Sequence, residues 1–308
     1  MVSEAKSVGV VGARGHTGSE LLRLLDNHPG FTVEYAGSRE LAGRPVPEIE
    51  ELTFGDLDAD GVVDLDLDAV FLALPDGVGK PFVSALPTDT VIVDISSDHR
   101  LDDAWIYGLP ELNREKIAGA RRIANPGCYA TVMQLALAPF IDDLDGVPAV
   151  FGVSGYSGAG TTPSRKNDPD RLADNLLPYK LVGHNHEREA SRHLGHPVRF
   201  MPHVHQAFRG LLITSHIPVA TPITSDQAVR RLVDAYADEP LIDIQEEIPE
   251  LRDGAGRLGV LLGGVHVSED GRNVVVVAAE DNLLKGAAVQ AVQNLNLAFA
   301  QPEFVAIL

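Results

Sequence analysis

The sequence predicts an α/β fold in two parts: a parallel sheet wrapped by helices, followed by an α+β domain. Three observations carry this reading. The 308 residues are about twice the ~150-residue unit of a single domain. The first half alternates short β-rich apolar runs with helical patterns. From Val150 the rhythm changes, first to Gly- and Ser-rich sequence and then to alternating strand-like segments.

The first strand is expected at residues 8–11, running into Gly12, Gly15 and Gly18; Leu21, Leu22, Leu24 and Leu25 then form a helical stripe that stops at Pro29-Gly30. Buried strands follow at 31–36, 69–74 and 91–95, each short, apolar and bounded by Pro, Gly or Asp. The Asp-rich run 56–68 reads as a solvated connection. Residues 154–170 read as a long functional loop or a domain boundary. Beyond it, 210–219, 258–267 and 274–279 alternate as strands, 225–237 reads as a helix, and 282–300 as a closing helix that returns to the first domain.

Hydrophobic residues make up 44% and charged residues 22%, ordinary globular usage, with no run approaching the ~18 apolar residues of a membrane span. The formal charge of −19 repels nucleic acid and anionic membranes, so an anionic substrate must find a local cationic pocket. A single cysteine, Cys128, excludes an intrachain disulfide and points to a reducing, cytoplasmic setting.

Gly12, Gly15 and Gly18 form G-x-x-G-x-x-G between a strand and a helix. Glycines there let the backbone approach a pyrophosphate at a helix N-terminus, the signature of a dinucleotide-binding Rossmann domain. Arg14, His16 and Thr17 complete the turn, Arg14 adding charge against the phosphates. Where an NAD site places an acid at the end of the second strand, this chain has Gly37-Ser38-Arg39. A hydroxyl and a guanidinium suit a 2′-phosphate, so NADP is the expected cofactor.

The second signal is Asn125-Pro126-Gly127-Cys128-Tyr129-Ala130-Thr131 before a helical run. Pro126 and Gly127 make a sharp entry that sets Cys128 in the first turn, where unpaired N–H groups and the helix dipole favour a thiolate. A thiol beside a nicotinamide implies acyl transfer followed by hydride reduction of the thioester to an aldehyde. For proton traffic the informative group is His184-Asn185-His186-Glu187-Arg188-Glu189: with a helix starting near His186, Glu189 lies one turn on and orients that imidazole. His186 is the first choice for acid/base and His184 the second. His203 and His205 share one face of a strand. Paired histidines also raise a zinc hydrolase, but no thiolate cluster or H-E-x-x-H helix completes a site and no metal is expected. Arg100, Lys166 and Arg209 are the cationic candidates for an acyl phosphate.

These residues resemble the N-acetyl-γ-glutamyl-phosphate reductases, aspartate-semialdehyde-dehydrogenase-like enzymes of arginine biosynthesis. The resemblance runs through the glycine turn, Ser38-Arg39-Glu40, Tyr107 to Glu111, Asn125 to Thr131, Ser157-Gly158-Ala159-Gly160, His184 to Glu189, Arg209-Gly210 and Asp281-Asn282-Leu283-Leu284-Lys285-Gly286-Ala287-Ala288. It implies NADPH-dependent reduction of N-acetyl-L-glutamyl 5-phosphate to the semialdehyde with release of phosphate. Cys128 is then the nucleophile and His186 the acid/base supported by Glu189. The glycine turn, Ser38, Arg39, Ser157, Gly158 and the segment from Asn282 hold NADP, while Arg100, Asn125 and Arg209 meet the substrate. It also implies a Rossmann domain of residues 1–127 and 282–308, an α+β domain of 128–281, and a homodimer or homotetramer. The same chemistry on an aminoadipyl or aspartyl phosphate is the nearest alternative, since one methylene discriminates by only ~1–3 kcal/mol. A non-catalytic NADP-binding sensor is a further one.

Overall fold

A computed structural model describes residues 5–308 and divides the chain into two compact units, one of residues up to Gly127 with Ala287–Leu308 and one of Cys128–Gly286. The first unit contains β1 (Lys6–Val11), α1 (His16–Leu25), β2 (Phe31–Gly37), β3 (Phe54–Gly55), α2 (Ala59–Val63), β4 (Ala69–Leu72), α3 (Lys80–Ala85), β5 (Val91–Asp94), β6 (Ile106–Tyr107), α4 (Pro110–Ile117) and β7 (Arg122–Ala124). Its seven strands are ordered β3-β2-β1-β4-β5-β7-β6 and all pair in parallel. Parallel strands are buried on both faces, which is why Val8, Val10, Ala69, Phe71, Val91 and Val93 read as unbroken apolar runs and are fully buried.

The Asp-rich stretch corrects the sequence reading, because it holds a helix instead of a bare connection. Asp58 caps α2 by accepting a hydrogen bond from the Gly61 N–H at 3.0 Å, and Val62 and Leu67 are buried in the core. Asp is a favoured N-cap, so its abundance marked a helix start as much as solvation.

The second unit contains α5 (Cys128–Leu137), β8 (Ala149–Gly155), α6 (Pro169–Leu172), β9 (Leu176–Pro178), α7 (Asn185–Leu194), β10 (Arg199–His205), β11 (Leu211–Pro218), α8 (Ser225–Ala235), β12 (Ile242–Ile244), α9 (Leu251–Gly254), β13 (Val260–Val267) and β14 (Asn273–Glu280). Its mixed sheet is ordered β12-β13-β14-β11-β8-β10-β9. Helix α5 packs on β11 and β14. On β8 the tight approach of α5 requires Gly152, where a methyl would lie 2.6 Å from Tyr129. The opposite face is open: Met201 and Thr214 stand in register with Phe151, Leu212 lies two residues along the same face, and all four are exposed or half-exposed. The loop through 161–170 lies inside this unit and is not a boundary.

After β14 a π-helical turn at Leu284–Ala288 runs directly into α10 (Val289–Ala298), so helical backbone covers most of the closing segment the sequence pattern indicates. It packs on α1, α4 and β5 of the first unit. Its polar side chains are buried and used. The Gln290 and Asn294 amides donate to the Gly108 carbonyl at 2.6 and 2.9 Å, and Asn294 also donates to Asn125 Oδ1 at 3.0 Å. These bonds offset the desolvation of groups that an apolar stripe would not contain.

Candidate active site

In the first unit the turn between β1 and α1 is shaped for close approach. Gly12 has φ +88°, and a Cβ there would meet the Ala73 carbonyl oxygen at 2.2 Å; at Gly18 it would meet the Gly12 oxygen at 2.5 Å. Gly15 precedes α1 without a side-chain cap, and no acid occupies the first turn. A ten-residue helix therefore presents its N-terminal N–H groups and positive dipole end at a glycine-rich turn with no acidic side chain. That arrangement fits a dinucleotide pyrophosphate.

At the end of β2, Ser38 Oγ accepts from the Leu41 N–H at 3.3 Å. The Arg39 side chain is 87% exposed, 3.6 Å from Asp56. Arg14 pairs at 3.0 Å with Glu40, whose carboxylate draws its guanidinium to the same rim. Arg100 and Asn125 also lie in this unit, both buried. Arg100 donates to the carbonyls of Asn125 at 2.9 Å and Ile95 at 2.7 Å, and the Asn125 amide donates to the Ala287 carbonyl at 3.2 Å. These contacts give both residues a structural task in the strand ends.

The second unit gathers the thiol and the imidazoles. Cys128 is the first residue of α5 and half-buried. Gly286 is pressed against it: a methyl at that position would lie 2.6 Å from Cys128 Cβ and 2.7 Å from Glu280 Oε1. Glu280 and Lys285 are fully buried charged residues.

Helix α7 begins at Asn185, one residue before the sequence reading, because His184 is its N-cap: His184 Nδ1 accepts from the His186 N–H at 3.1 Å. Burial, with His186, Lys180 and Lys166 adding positive charge, lowers His184 to about 3. It is neutral at physiological pH, with its Nδ1 lone pair engaged in the cap. Glu187 fixes the same corner, accepting from the N–H groups of Gly183 at 3.0 Å and Phe200 at 2.9 Å. His186 follows, its ring 6.0 Å from Tyr129 and 4.9 Å from His184. Glu189 is 2% exposed, one helical turn beyond His186.

Tyr179 was not singled out in the sequence, where it sits in an aperiodic stretch. Burial raises its phenol, and the neighbouring Cys128 adds to the shift. Tyr129 is raised well above its ordinary value by burial, then by Tyr179, with Cys128 contributing. Both phenols therefore stay protonated hydroxyls near the thiol, and the Tyr129 hydroxyl donates to the His203 carbonyl at 2.9 Å.

Asn282 is a local brace, its Nδ2 donating to Ser157 Oγ at 2.9 Å and its Oδ1 accepting from the Gly210 N–H at 3.0 Å. Gly158 is exposed beside this brace. Arg209 lies 3.5 Å from the buried Asp281 carboxylate. Among the described residues no three His, Cys, Asp or Glu side chains converge as a metal ion requires. No helix of the described residues is long and apolar enough to cross a membrane.

Residues 7–120 match the family described as semialdehyde dehydrogenase, NAD binding domain, and 128–282 match semialdehyde dehydrogenase, dimerisation domain. A protein of Xanthomonas axonopodis pv. citri named N-acetyl-gamma-glutamyl-phosphate reductase is 52% identical over 315 residues, covering 100% of both chains. One of the same name from Stenotrophomonas maltophilia is 52% identical over 98% of each chain. Among solved structures, aspartate semialdehyde dehydrogenase II of Vibrio cholerae, complexed with ASA, superposes with a TM-score of 0.79 at 20% identity, over 97% of this chain and 99% of that one. The aspartate semialdehyde dehydrogenase of Candida albicans with NADP gives 0.75 at 17% identity, over 96% and 99%.

Proposed function

Because the chain belongs to the semialdehyde dehydrogenase family, in its N-acetyl-gamma-glutamyl-phosphate reductase branch, we propose that it reduces N-acetyl-L-glutamyl 5-phosphate to the 5-semialdehyde, releasing phosphate in arginine biosynthesis. The observation that carries the reading is one half-buried thiol at the start of α5, beside two protonated phenols and next to an imidazole-capped helix.

Cys128 Sγ attacks the acyl carbon and the bond to phosphate breaks, its electron pair leaving on the phosphate, so that the acyl group becomes a thioester on the enzyme. The dipole of α5 favours the thiolate that this requires. His186 takes the thiol proton, and its imidazolium then faces the sulfur when the product departs. We keep His184 as the second choice for that exchange, because its Nδ1 is engaged in the cap and its proton affinity is lowered, and assign it to supporting the helix that carries His186. Glu189, buried one helical turn beyond His186, is the residue we assign to orient its ring. The Tyr129 and Tyr179 hydroxyls stay neutral near the sulfur.

The NAD-binding domain holds the cofactor through Gly12, Gly15, His16, Thr17 and Gly18, and we assign NADP because of Ser38 and Arg39, with Arg14 on the same rim. NADPH, when bound, supplies the hydride that takes the acyl group to the aldehyde level. We also assign Ser157, Gly158 and Asn282 to cofactor contacts, Asn282 bracing Ser157 through its Nδ2. Arg39→Ala weakens NADP by about tenfold or more, as loss of a charge-assisted phosphate contact does, and leaves NAD nearly unchanged. Titration of both cofactors by fluorescence checks this, and equal losses would put the 2′-phosphate elsewhere.

The dimerisation domain makes the protein a homo-oligomer, and the open sheet face of Phe151, Met201, Leu212 and Thr214 is the surface we assign to a dimer or tetramer. A cytoplasmic, reducing setting suits a chain whose one sulfhydryl is its nucleophile. The test of the reaction is its reverse: N-acetylglutamate semialdehyde and NADP should give NADPH absorbance only when inorganic phosphate is present. Aspartate or aminoadipate semialdehyde turning over faster would reassign the acyl chain. Cofactor binding without turnover of any of the three would leave a sensor.

A further inference from the structure

We propose that Lys166, presented by a loop that Asn167 ties shut and flanked by Lys180, is the cation that receives the substrate's phosphoryl group; this rests on the acyl-phosphate reading above. A chain of net charge −19 binds such a substrate only where positive charge is concentrated locally. The arginines are engaged elsewhere. Arg100 donates to two backbone carbonyls, and Arg209 lies against the carboxylate of Asp281.

Lys166 is differently placed. Between residues 161 and 168 only Lys166 and Asn167 are half-buried while their neighbours are exposed, an inversion of the usual place of a lysine. Asn167 explains it. Its Oδ1 accepts from the Ser164 N–H at 2.7 Å and hydroxyl at 3.1 Å, and its Nδ2 donates to the carbonyls of Gly160 and Thr162, each at 2.9 Å. With the loop closed in this way, the Lys166 ammonium lies 5.0 Å from the centre of the Tyr179 ring. Tyr179 is the phenol that feels Cys128, so the ammonium is a neighbour of the thiol's own neighbour. Lys180 is steadied by Asn185 Oδ1 at 2.9 Å, and both lysines bear on His184.

The phosphoryl group is joined to the carbon that Cys128 attacks, whereas the substrate's carboxylate lies at the far end of the acyl chain. An ammonium near the thiol therefore meets phosphoryl oxygens. As the S–C bond forms and the C–O bond breaks, its electron pair adds charge to the departing phosphate, and Lys166 stabilises that charge where it develops.

In the reverse reaction, Lys166→Met raises KM for inorganic phosphate about tenfold or more, as a lost charge-assisted contact does, and leaves KM for the semialdehyde within about twofold. Lys166→Arg recovers most of the loss, and Asn167→Ala falls between. A second readout does not need turnover: inorganic phosphate slows alkylation of Cys128 by neutral iodoacetamide in the unmodified protein, and this protection disappears in Lys166→Met. Unchanged phosphate KM and protection would overturn the proposal, as would a rise confined to the semialdehyde KM, which gives the ammonium to the carboxylate. Lys166-dependent protection in a protein that turns over no semialdehyde supports the anion site and removes the acyl-phosphate reading.

Discussion

Cys128→Ser abolishes phosphate-dependent turnover, with a loss on the order of 10⁴-fold or more, the scale seen when a covalent nucleophile is removed. Serine keeps the Cβ that packs against Gly286, so the fold at the start of α5 is preserved. What is lost is the ionisable sulfur, because a helix dipole that favours a thiolate is far too weak to ionise a hydroxyl. NADP binding stays intact, since the glycine turn belongs to the other unit. Steady-state kinetics with a parallel cofactor titration reads both effects. Retained turnover would eliminate the thioester route, and loss of both activity and cofactor binding would mean that the substitution disturbed more than the sulfur.

The second large effect separates the two histidines. His186→Asn lowers kcat by roughly 10²–10⁴, the range for a lost general acid/base. His184→Asn has a much smaller effect, for a structural reason: asparagine is among the best N-caps, so it can replace the His184 Nδ1 that accepts from the His186 N–H. The imidazole it removes is already neutral, so no charge is withdrawn from the site at physiological pH. Steady-state kinetics of the two variants, run side by side on folded protein, distinguishes them. The reverse order of effects would exchange the two assignments.

What was legible in the sequence depended on period and on special backbone positions. The strand, glycine turn and helix from Lys6 to Leu25 could be read because apolar runs, three glycines and a leucine stripe each have a local cause. Helix α2 was hidden because Asp58 acts through its own carboxylate while its neighbours advertise solvation. In His184-Asn185-His186 the spacing placed the imidazoles together, but the role of His184 rests on an extended backbone at the cap, which composition does not encode. Tyr179 was the least legible, and of Lys166 only the charge could be read, not its placement. Tyr179 follows β9, whose place is set by antiparallel pairing with β10 more than twenty residues on, and Lys166 is aimed by four bonds of one asparagine in an aperiodic loop.

The return of α10 to the first unit has a consequence for biosynthesis. Gln290 and Asn294 complete the hydrogen bonding of Gly108 and Asn125, groups made some 170 residues earlier on the ribosome. Until α10 emerges, those buried polar atoms lack their partners and β5 lacks the helix that covers it. The second unit, uninterrupted in sequence, can assemble as it is translated, whereas the cofactor-binding unit waits for residues 287–308 to follow it. Ability to hold the cofactor therefore arrives after the second unit has formed.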